Sequence, residues 1–316
     1  MSSEVPDKRQ DIIQSLLENK ENIILTKDNI KDVMFERHSK DSDCKIAFRG
    51  LTYDNELFPT VLRGISDKKS NHAELREYEN SLYENYNRYS IQYLPYYESL
   101  ADWIASAQHY GLKTRLLDWT YSPLVALFFA INNDKNKDDS YILSADVKYT
   151  INEFFYFRET TAQEDEFTYK RMWQIEKNLQ WIDFPPNTLS CHDRPKNKDK
   201  SDKFNTEVKQ NKNICFLETN DANPRIIAQE GIFQLCRFPS DETNCTLVKD
   251  IKKCLVDEII NNTKCIYVIP TENKAELREL LNEMKITTPK LFPDLASICR
   301  FINSKKYVKQ SEGEKR

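Results

Sequence analysis

Short stretches rich in hydrophobic residues, one of which alternates with polar positions, predict several strands. In segment 44–50, Ile46 and Phe48 occupy every second position, so we expect a strand that presents Arg49 on the face opposite Phe48. Gly50 follows Arg49 and has no side chain, which would let backbone or a ligand approach closely. Further strands are predicted at 141–147, 214–217, 231–236 and 265–269.

Other stretches have the spacing or the composition of helices. The clearest is 124–131, an apolar run preceded by Ser122 at the N-cap and Pro123 at the first helical position. Further helices are predicted at 73–89, at 97–110 with Gly111 as a C-terminal cap, and at 271–284.

The N-terminal segment contains apolar residues at helical spacing among charged ones, which predicts an amphipathic helix. These residues are Ile12, Ile13, Leu16 and Leu17. Such a helix either caps the core of its own chain or recruits a partner, and the spacing alone agrees with both.

The order of the predicted elements favours an α+β fold over a repeating βαβ fold. We expect a twisted, mainly antiparallel sheet core with flanking helices. A charged, aromatic stretch at 148–212 forms a long insertion, expected to act as a lid or to recognise an acceptor molecule. The predicted organisation is an N-terminal helical extension at 1–43, one domain at 44–303 and a polar tail at 304–316.

Composition narrows the classes of function. The formal net charge of -4 removes the overall attraction that basic nucleic-acid binders use. The 8 cysteines are scattered without a Cys-x-x-Cys pair. Residues 1–10 are polar and charged, without the pattern of a signal peptide, and no apolar run approaches the roughly 20 residues of a membrane span. We therefore expect a cytoplasmic protein with free thiols and no membrane association. With 5 glycines and 4 histidines, neither a Gly-rich phosphate loop nor a His-rich metal site is expected.

Segment 108–130, QHYGLKTRLLDWTYSPLVALFFA, concentrates the groups that could carry chemistry. A helix ends in it, a short strand follows, and a new helix begins, so polar side chains converge where a helix N-terminus favours an anion. The side chains expected to share this pocket are His109, Thr114, Arg115, Asp118, Trp119, Thr120 and Ser122.

Structural roles are an alternative for each of these residues. Arg115 and Asp118 would then form a buried ion pair. Thr120 and Ser122 would cap the following helix. Trp119 either stacks on a ligand ring or belongs to the core.

Five separated motifs resemble the FRG-domain family, named for a Phe-Arg-Gly sequence. They are FRGL at 48–51, LFPTVLRG at 57–64, QHYGLKTRLLDWTYSP at 108–123, AQEGIF at 228–233 and LFPDL at 291–295. The resemblance covers about residues 44 to 303, and it implies a fold more firmly than a function.

The FRG domain in turn resembles, more distantly, the ADP-ribosyltransferase superfamily. That likeness implies NAD as the substrate, with Arg49 on its phosphates or ribose, Thr120 and Ser122 as the Ser/Thr element, and Gln229 or Glu230 as the late polar residue. It also implies an antiviral effector or toxin that modifies nucleic acid or protein and is held by an inhibitor (antitoxin) protein.

Cleavage of the N-glycosidic bond of NAD requires cations beside the pyrophosphate and a carboxylate or amide beside the ribose. The position of the superfamily's late polar residue falls on Gln229. Glu230 is one residue away and is expected on the other face of the strand. Glu79 is a replacement carboxylate or a solvated helix residue. Arg225 is a second cation or pairs with a surface carboxylate. His109 carries a proton, or donates a hydrogen bond, or makes a structural contact.

Two functions from different classes are candidates, and the resemblance favours the first. One is NAD-dependent ADP-ribosyl transfer, and the other is a non-catalytic nucleotide- or ligand-sensing module that uses the same Arg49 pocket. The amide of Gln229 in place of a carboxylate favours the second. A nuclease is the weakest candidate, because no compact carboxylate motif would hold magnesium.

Overall fold

The computed structural model describes much of the predicted domain and part of the N-terminal extension. The described residues are 8–31, 45–52, 57–63, 65, 71–90, 92–93, 100–132, 138–147, 150–151, 214–219, 223–236 and 247–304. Of the predicted insertion at 148–212, only residues 150–151 are described, and of the tail at 304–316 only residue 304. The rest of both lies outside the described residues.

Eight strands of the described chain form one sheet. In chain order they are β1 (Glu21–Ile24), β2 (Lys45–Leu51), β3 (Leu116–Thr120), β4 (Ser140–Val147), β5 (Thr150–Ile151), β6 (Ile214–Leu217), β7 (Gly231–Cys236) and β8 (Thr263–Ile269). Their order across the sheet is β1-β8-β4-β2-β3-β7-β6-β5. The outer pairs β1 with β8 and β5 with β6 are parallel, and the other pairs are antiparallel. The predicted α+β class with a mainly antiparallel sheet is thus confirmed.

Helices lie between the strands in no repeating pattern. They are α1 (Lys8–Asn19), α2 (His72–Ser90), α3 (Leu100–His109), α4 (Pro123–Ile131), α5 (Pro224–Ala228), α6 (Val248–Asn262), α7 (Lys274–Glu283), α8 (Thr288–Leu291) and α9 (Leu295–Ser304). Short 3-10 turns occur at Thr60–Leu62 and Thr271–Asn273. The predicted helix at 124–131 is confirmed, and the one at 271–284 is a 3-10 turn followed by α7. Helices α5, α6, α8 and α9 and strands β1 and β5 were not predicted from the sequence.

One sheet face packs against two separate groups of helices. On β2, β4 and β8, the apolar side chains pack against α4 and α7, as at Phe48 and Ile142. On β3 and β7, Leu116 and Phe233 pack against α2 and α3. These two groups of helices leave a gap above the centre of the sheet, where β2 meets β3.

The opposite face is covered by α6 and α1. Alternate residues of β2 and β4, such as Ala47 and Leu143, share a buried cluster with Ile251 of α6 and Leu16 of α1. Helix α1 therefore packs on the core of its own chain, as the capping interpretation predicted. The segment that follows adds β1 to the sheet edge.

Gly50 sets the closest approach of a helix to the sheet. A Cβ atom placed there would lie 2.0 Å from the backbone oxygen of Ala126 and 2.8 Å from the backbone nitrogen of Ala130. Because only glycine leaves this space free, α4 rests directly on β2 beside Arg49. The backbone approach expected at this glycine is confirmed.

Candidate functional site

A cavity of about 230 Å³ opens where β2 and β3 separate. These two strands share a single register pair, Phe48 with Thr120. The walls come from β2, β3, α3, α4, α5 and β7. Phe48, Arg49 and Gly50 all line it although successive strand residues face opposite ways, as expected of an opening between two strands.

Arg49 is the most buried cation on this cavity, with 9% of its surface exposed. Its Nη1 donates a hydrogen bond to the backbone oxygen of Asp118 on β3, so the guanidinium bridges the opening. Its buried Nε has no hydrogen-bond acceptor among the residues that the structure describes. Burial lowers the pKa of Arg49 to about 10, an effect that the Asp118 carboxylate opposes and the Arg63 charge reinforces.

Two further arginines line the same cavity. Arg63 follows the 3-10 turn at Thr60–Leu62, and its Nε donates to the backbone oxygen of Phe58 at 2.9 Å. Arg225, on α5, lies over the ring of Phe292 with its guanidinium carbon 4.4 Å from the ring centroid. Partial burial lowers the pKa of Arg225, and the nearby carboxylates of Asp118 and Asp294 act against that shift.

His109 ends α3 at the rim of the cavity. Its Nδ1 lies 3.5 Å from Nη1 of Arg225, and because arginine only donates, Nδ1 accepts when the ring is neutral. Burial, followed by the charge of Arg225, lowers the pKa of His109, while Asp294 acts to raise it. The ring is therefore neutral near pH 7.

Asp118 brings a carboxylate to this otherwise cationic cavity. Its side chain is exposed, and Oδ1 accepts a hydrogen bond from Nε2 of Gln108 at 2.8 Å. Gln108 in turn accepts from the hydroxyl of the buried Thr114. Gln108 lines the cavity but was not predicted as a site residue, although it immediately precedes His109 in the 108–130 motif.

Arg115 and Glu79 form a buried pair away from the cavity lining. Arg115 Nε donates to Glu79 Oε1 at 2.7 Å, and Nη2 donates to Oε2. The Tyr83 hydroxyl donates to Glu79 Oε1 at 3.1 Å, which agrees with the common helix face expected for these two residues. The alternative of a buried Arg115–Asp118 pair is wrong, because Asp118 is exposed and Glu79 is the buried counter-charge.

Thr120 holds the end of β3 to the turn that precedes β7. Its hydroxyl donates to the backbone oxygen of Gln229 at 2.7 Å and accepts from the backbone N–H of Ser122 at 2.9 Å. Ser122 occupies the N-cap of α4 without a side-chain capping bond. The hydroxyl that bonds near this helix start is thus that of Thr120, not that of Ser122.

Gln229 and Glu230 precede β7 and do not lie on it. Gln229 ends α5, lines the cavity, and donates from Nε2 to the backbone oxygen of Leu291 at 2.9 Å. Glu230 is exposed in a turn with φ of 46°. The expectation that the two occupy opposite faces of one strand is wrong, because the strand begins at Gly231.

Trp119 combines a core position with a place in the cavity wall. Its Nε1 donates to Oε1 of Gln234 at 2.7 Å, and its ring meets that of Phe216 edge-on. Only 5% of its surface is exposed. The indole therefore offers a ligand little of its face.

The cavity gathers about half of the residues predicted for the site. Those that line it are Arg49, His109, Asp118, Trp119, Thr120, Arg225 and Gln229. Those outside its lining are Glu79, Thr114, Arg115, Ser122 and Glu230. Arg63 and Gln108 line it without having been predicted, and both fall inside motifs noted in the sequence, LFPTVLRG and QHYGLKTRLLDWTYSP.

Residues 44–139 match the family model of the FRG domain, which supports the FRG family that the motifs indicate. The match includes the cavity residues of β2, β3, α3 and α4, and it ends before α5. Neither the curated proteins nor the solved structures contain a match to the chain.

Two negative observations apply to the described part of the chain. It brings together no group of three His, Cys, Asp or Glu side chains that could hold a metal ion. Among its helices, none is both long enough and apolar enough to cross a membrane.

Proposed function

We propose that the cavity binds a phosphate-bearing ligand of the nucleotide class, with Arg49 as its central anion-binding residue. The observation that carries this proposal is the buried guanidinium whose Nε finds no acceptor among the described residues. A buried donor without a partner costs roughly 1–3 kcal/mol, and more when it is charged. A phosphate group in the adjoining cavity would offset the cost of burying this charge.

The surroundings of Arg49 support an anion. Arg63 and Arg225 line the same cavity, so three arginines surround about 230 Å³. Arginine binds phosphate oxygens through its planar fork, and partial burial strengthens the attraction. The volume is below the roughly 300 Å³ of pockets that enclose drug-sized ligands, so we expect the phosphate-bearing part of a nucleotide to enter.

ADP-ribosyl transfer from NAD is the second candidate, within an ADP-ribosyltransferase-like fold. The Asp118 carboxylate favours it, because that group lines the cavity together with Arg49 and Thr120. A carboxylate beside the ribose would stabilise an oxocarbenium-like transition state. The acceptor would be nucleic acid or protein, and an inhibitor protein would control the activity. Against this candidate, Glu79 is paired with Arg115 and therefore not available as the replacement carboxylate.

Calorimetry with ADP tests binding, and labelled NAD tests turnover. Binding is compared between the wild-type chain and the variant Arg49→Lys. Calorimetry should detect ADP binding to the wild-type chain and a loss of roughly 1–3 kcal/mol in Arg49→Lys, because lysine keeps the charge but not the fork. Arg88→Lys, on the exposed side of α2, is the matched control and should bind as the wild type does. Equal affinity of the Arg49→Lys and wild-type chains would overturn the proposal.

Labelled NAD incubated with the protein and a cell lysate separates the two functions. Label transferred to protein or nucleic acid indicates a transferase. ADP or NAD binding without release of nicotinamide indicates a sensing module. Arg49→Ala should abolish either result while the melting temperature stays close to that of the wild type.

A further inference from the structure

The carboxylate of Asp118 is unfavourable in a cavity that binds only an anion. Its carboxylate lines the cavity with Arg49, Arg63 and Arg225, and it would repel a phosphate that those arginines attract. A site for inorganic phosphate alone would be better without it. The ligand should therefore carry a group that a carboxylate attracts.

The orientation of the Asp118 carboxylate is set by a chain of hydrogen bonds. The hydroxyl of Thr114 donates to Oε1 of Gln108, so the amide of Gln108 must present its Nε2 hydrogens to Asp118. Thr114 is held in turn, since its hydroxyl accepts from the Leu116 N–H at 3.1 Å and its own N–H donates to the Thr60 hydroxyl at 2.9 Å.

Fixing one carboxylate oxygen leaves acceptor sites for a ligand. An ionised carboxylate accepts through both oxygens at about four lone-pair positions, and the bond from Gln108 occupies one of them. Asp118 is also exposed, so solvent can hydrogen-bond to its carboxylate and the cavity arginines need not be its sole partners. Sugar hydroxyl groups are neutral donors that suit these remaining positions.

We propose that Asp118 accepts hydrogen bonds from sugar hydroxyl groups of the ligand, and that Gln108 and Thr114 are positioning residues for its carboxylate. The ligand class is then a hydroxyl-bearing phosphate ester, such as a ribonucleotide, and not inorganic phosphate or a polyphosphate. This inference rests on the proposed binding of a phosphate-bearing ligand by Arg49.

A counter-ion role is the competing explanation. The Asp118 charge acts to raise the pKa of both Arg49 and Arg225, as a structural counter-charge would. The two roles predict opposite effects of Asp118→Asn on the binding of ADP, but the same effect on a ligand that lacks the sugar hydroxyl groups. If Asp118 is only a counter-ion, its charge weakens the binding of every anion alike, and removing it strengthens them all. If it accepts hydrogen bonds from sugar hydroxyl groups, removing it weakens the binding of the ligand that carries them.

The test compares ADP, 2′,3′-dideoxy-ADP and inorganic pyrophosphate by calorimetry. On the wild-type chain, ADP should bind about tenfold or more tightly than the dideoxy compound, since a hydrogen bond to a charged group is worth that much or more. In Asp118→Asn this preference should shrink, ADP should weaken, and pyrophosphate should bind more tightly because the repulsion is gone. Melting temperatures check that the variant, changed at an exposed position, is folded.

The positioning role has its own matched pair of variants. Thr114→Val removes the hydroxyl that orients Gln108, whereas Thr114→Ser keeps it. The ratio of ADP to dideoxy-ADP affinity should fall in Thr114→Val and recover in Thr114→Ser. An equal ratio in both variants would overturn the role of the chain from Thr114 to Gln108.

Failure of the inference and failure of the proposed function give different results. If the wild type binds ADP and dideoxy-ADP equally, or if Asp118→Asn strengthens all three ligands alike, Asp118 is a counter-ion and the inference is wrong while phosphate binding stands. If the wild type binds none of the three, phosphate binding itself is wrong.

Discussion

The buried pair of Glu79 and Arg115 predicts a large loss of stability in Glu79→Gln. The two side chains are 2% and 7% exposed, and two hydrogen bonds join them. Burial and the Glu79 charge raise the pKa of Tyr83 well above its ordinary value, so its hydroxyl stays protonated and donates to the same carboxylate. Gln keeps the shape of the side chain but leaves the Arg115 charge buried without its counter-charge.

Removing one partner of such a pair costs roughly 3–5 kcal/mol. Natural domains have a free energy of unfolding of about 5–15 kcal/mol, so this change removes a large fraction of it. At about 2–4 °C per kcal/mol for a domain above 150 residues, the melting temperature should fall by roughly 6–20 °C. Thermal and urea unfolding followed by circular dichroism measure both quantities.

The matched control is Glu84→Gln, at an exposed position of the same helix, which should change stability by no more than about 0.5 kcal/mol. The double variant Glu79→Gln with Arg115→Met should lose less stability than the sum of the single changes, because it leaves no uncompensated charge. The reasoning is refuted if Glu79→Gln melts within about 2 °C of the wild type. Should ADP-ribosyl transfer be detected in the wild type, its loss in such a stable variant would assign Glu79 to the chemistry instead.

Three further predictions use other parts of the molecule. Gly50→Ala should lower the free energy of urea unfolding by about 1–3 kcal/mol or more, because its Cβ would lie 2.0 Å from a backbone oxygen of α4. Gly231→Ala is its control, since the nearest contact there is a side-chain atom at 3.3 Å, and an equal loss in both would contradict the steric argument.

The lowered pKa of His109 means that the unfolded chain binds more protons below about pH 6.5, so this residue's contribution to stability rises with pH through that window. An anionic ligand should raise this pKa, and NMR titration of the His109 ring with and without ADP should show proton uptake; an unchanged pKa would place the phosphate elsewhere. Phe292→Leu should weaken ADP binding by a factor of about 2 to 5 through loss of the cation–π contact with Arg225, and Phe292→Trp should restore it in calorimetry. Wild-type affinity in Phe292→Leu would show that this contact does not position Arg225.

Local patterns in the sequence were sufficient for elements whose signals are contained within a few residues. Strand β7 and helix α4 lie where the strand-like run at 231–236 and the Ser122-Pro123 cap predict them. Helix α6 was missed although Val248, Ile251 and Leu255 follow helical spacing and are buried. Its N-terminus has no side-chain cap from Ser, Thr, Asp or Asn at Leu247, so the usual start signal was absent.

The cavity could be predicted only in part, because strand alternation fixes the face of a residue but not its neighbours across the sheet. The convergence of His109 and Asp118 follows from their places in one motif. The pairing of β2 with β3, which sets Arg49 beside Asp118, joins segments 69 residues apart. The partner of Arg115 is also distant in the sequence, since Glu79 lies 36 residues earlier on α2.

The two buried arginines of this sheet region differ in how far their hydrogen-bonding groups are satisfied within the described chain. Arg115 is 6% exposed and Arg49 is 9% exposed, so burial imposes a comparable cost on both charges. Arg115 meets a carboxylate through two hydrogen bonds, as a residue with a structural role should. Arg49 donates to a neutral backbone oxygen and retains an Nε without an acceptor in the described chain. Folding alone would favour a satisfied arginine or an apolar residue at this position, and the cost that remains is one that an anion in the adjoining cavity would offset.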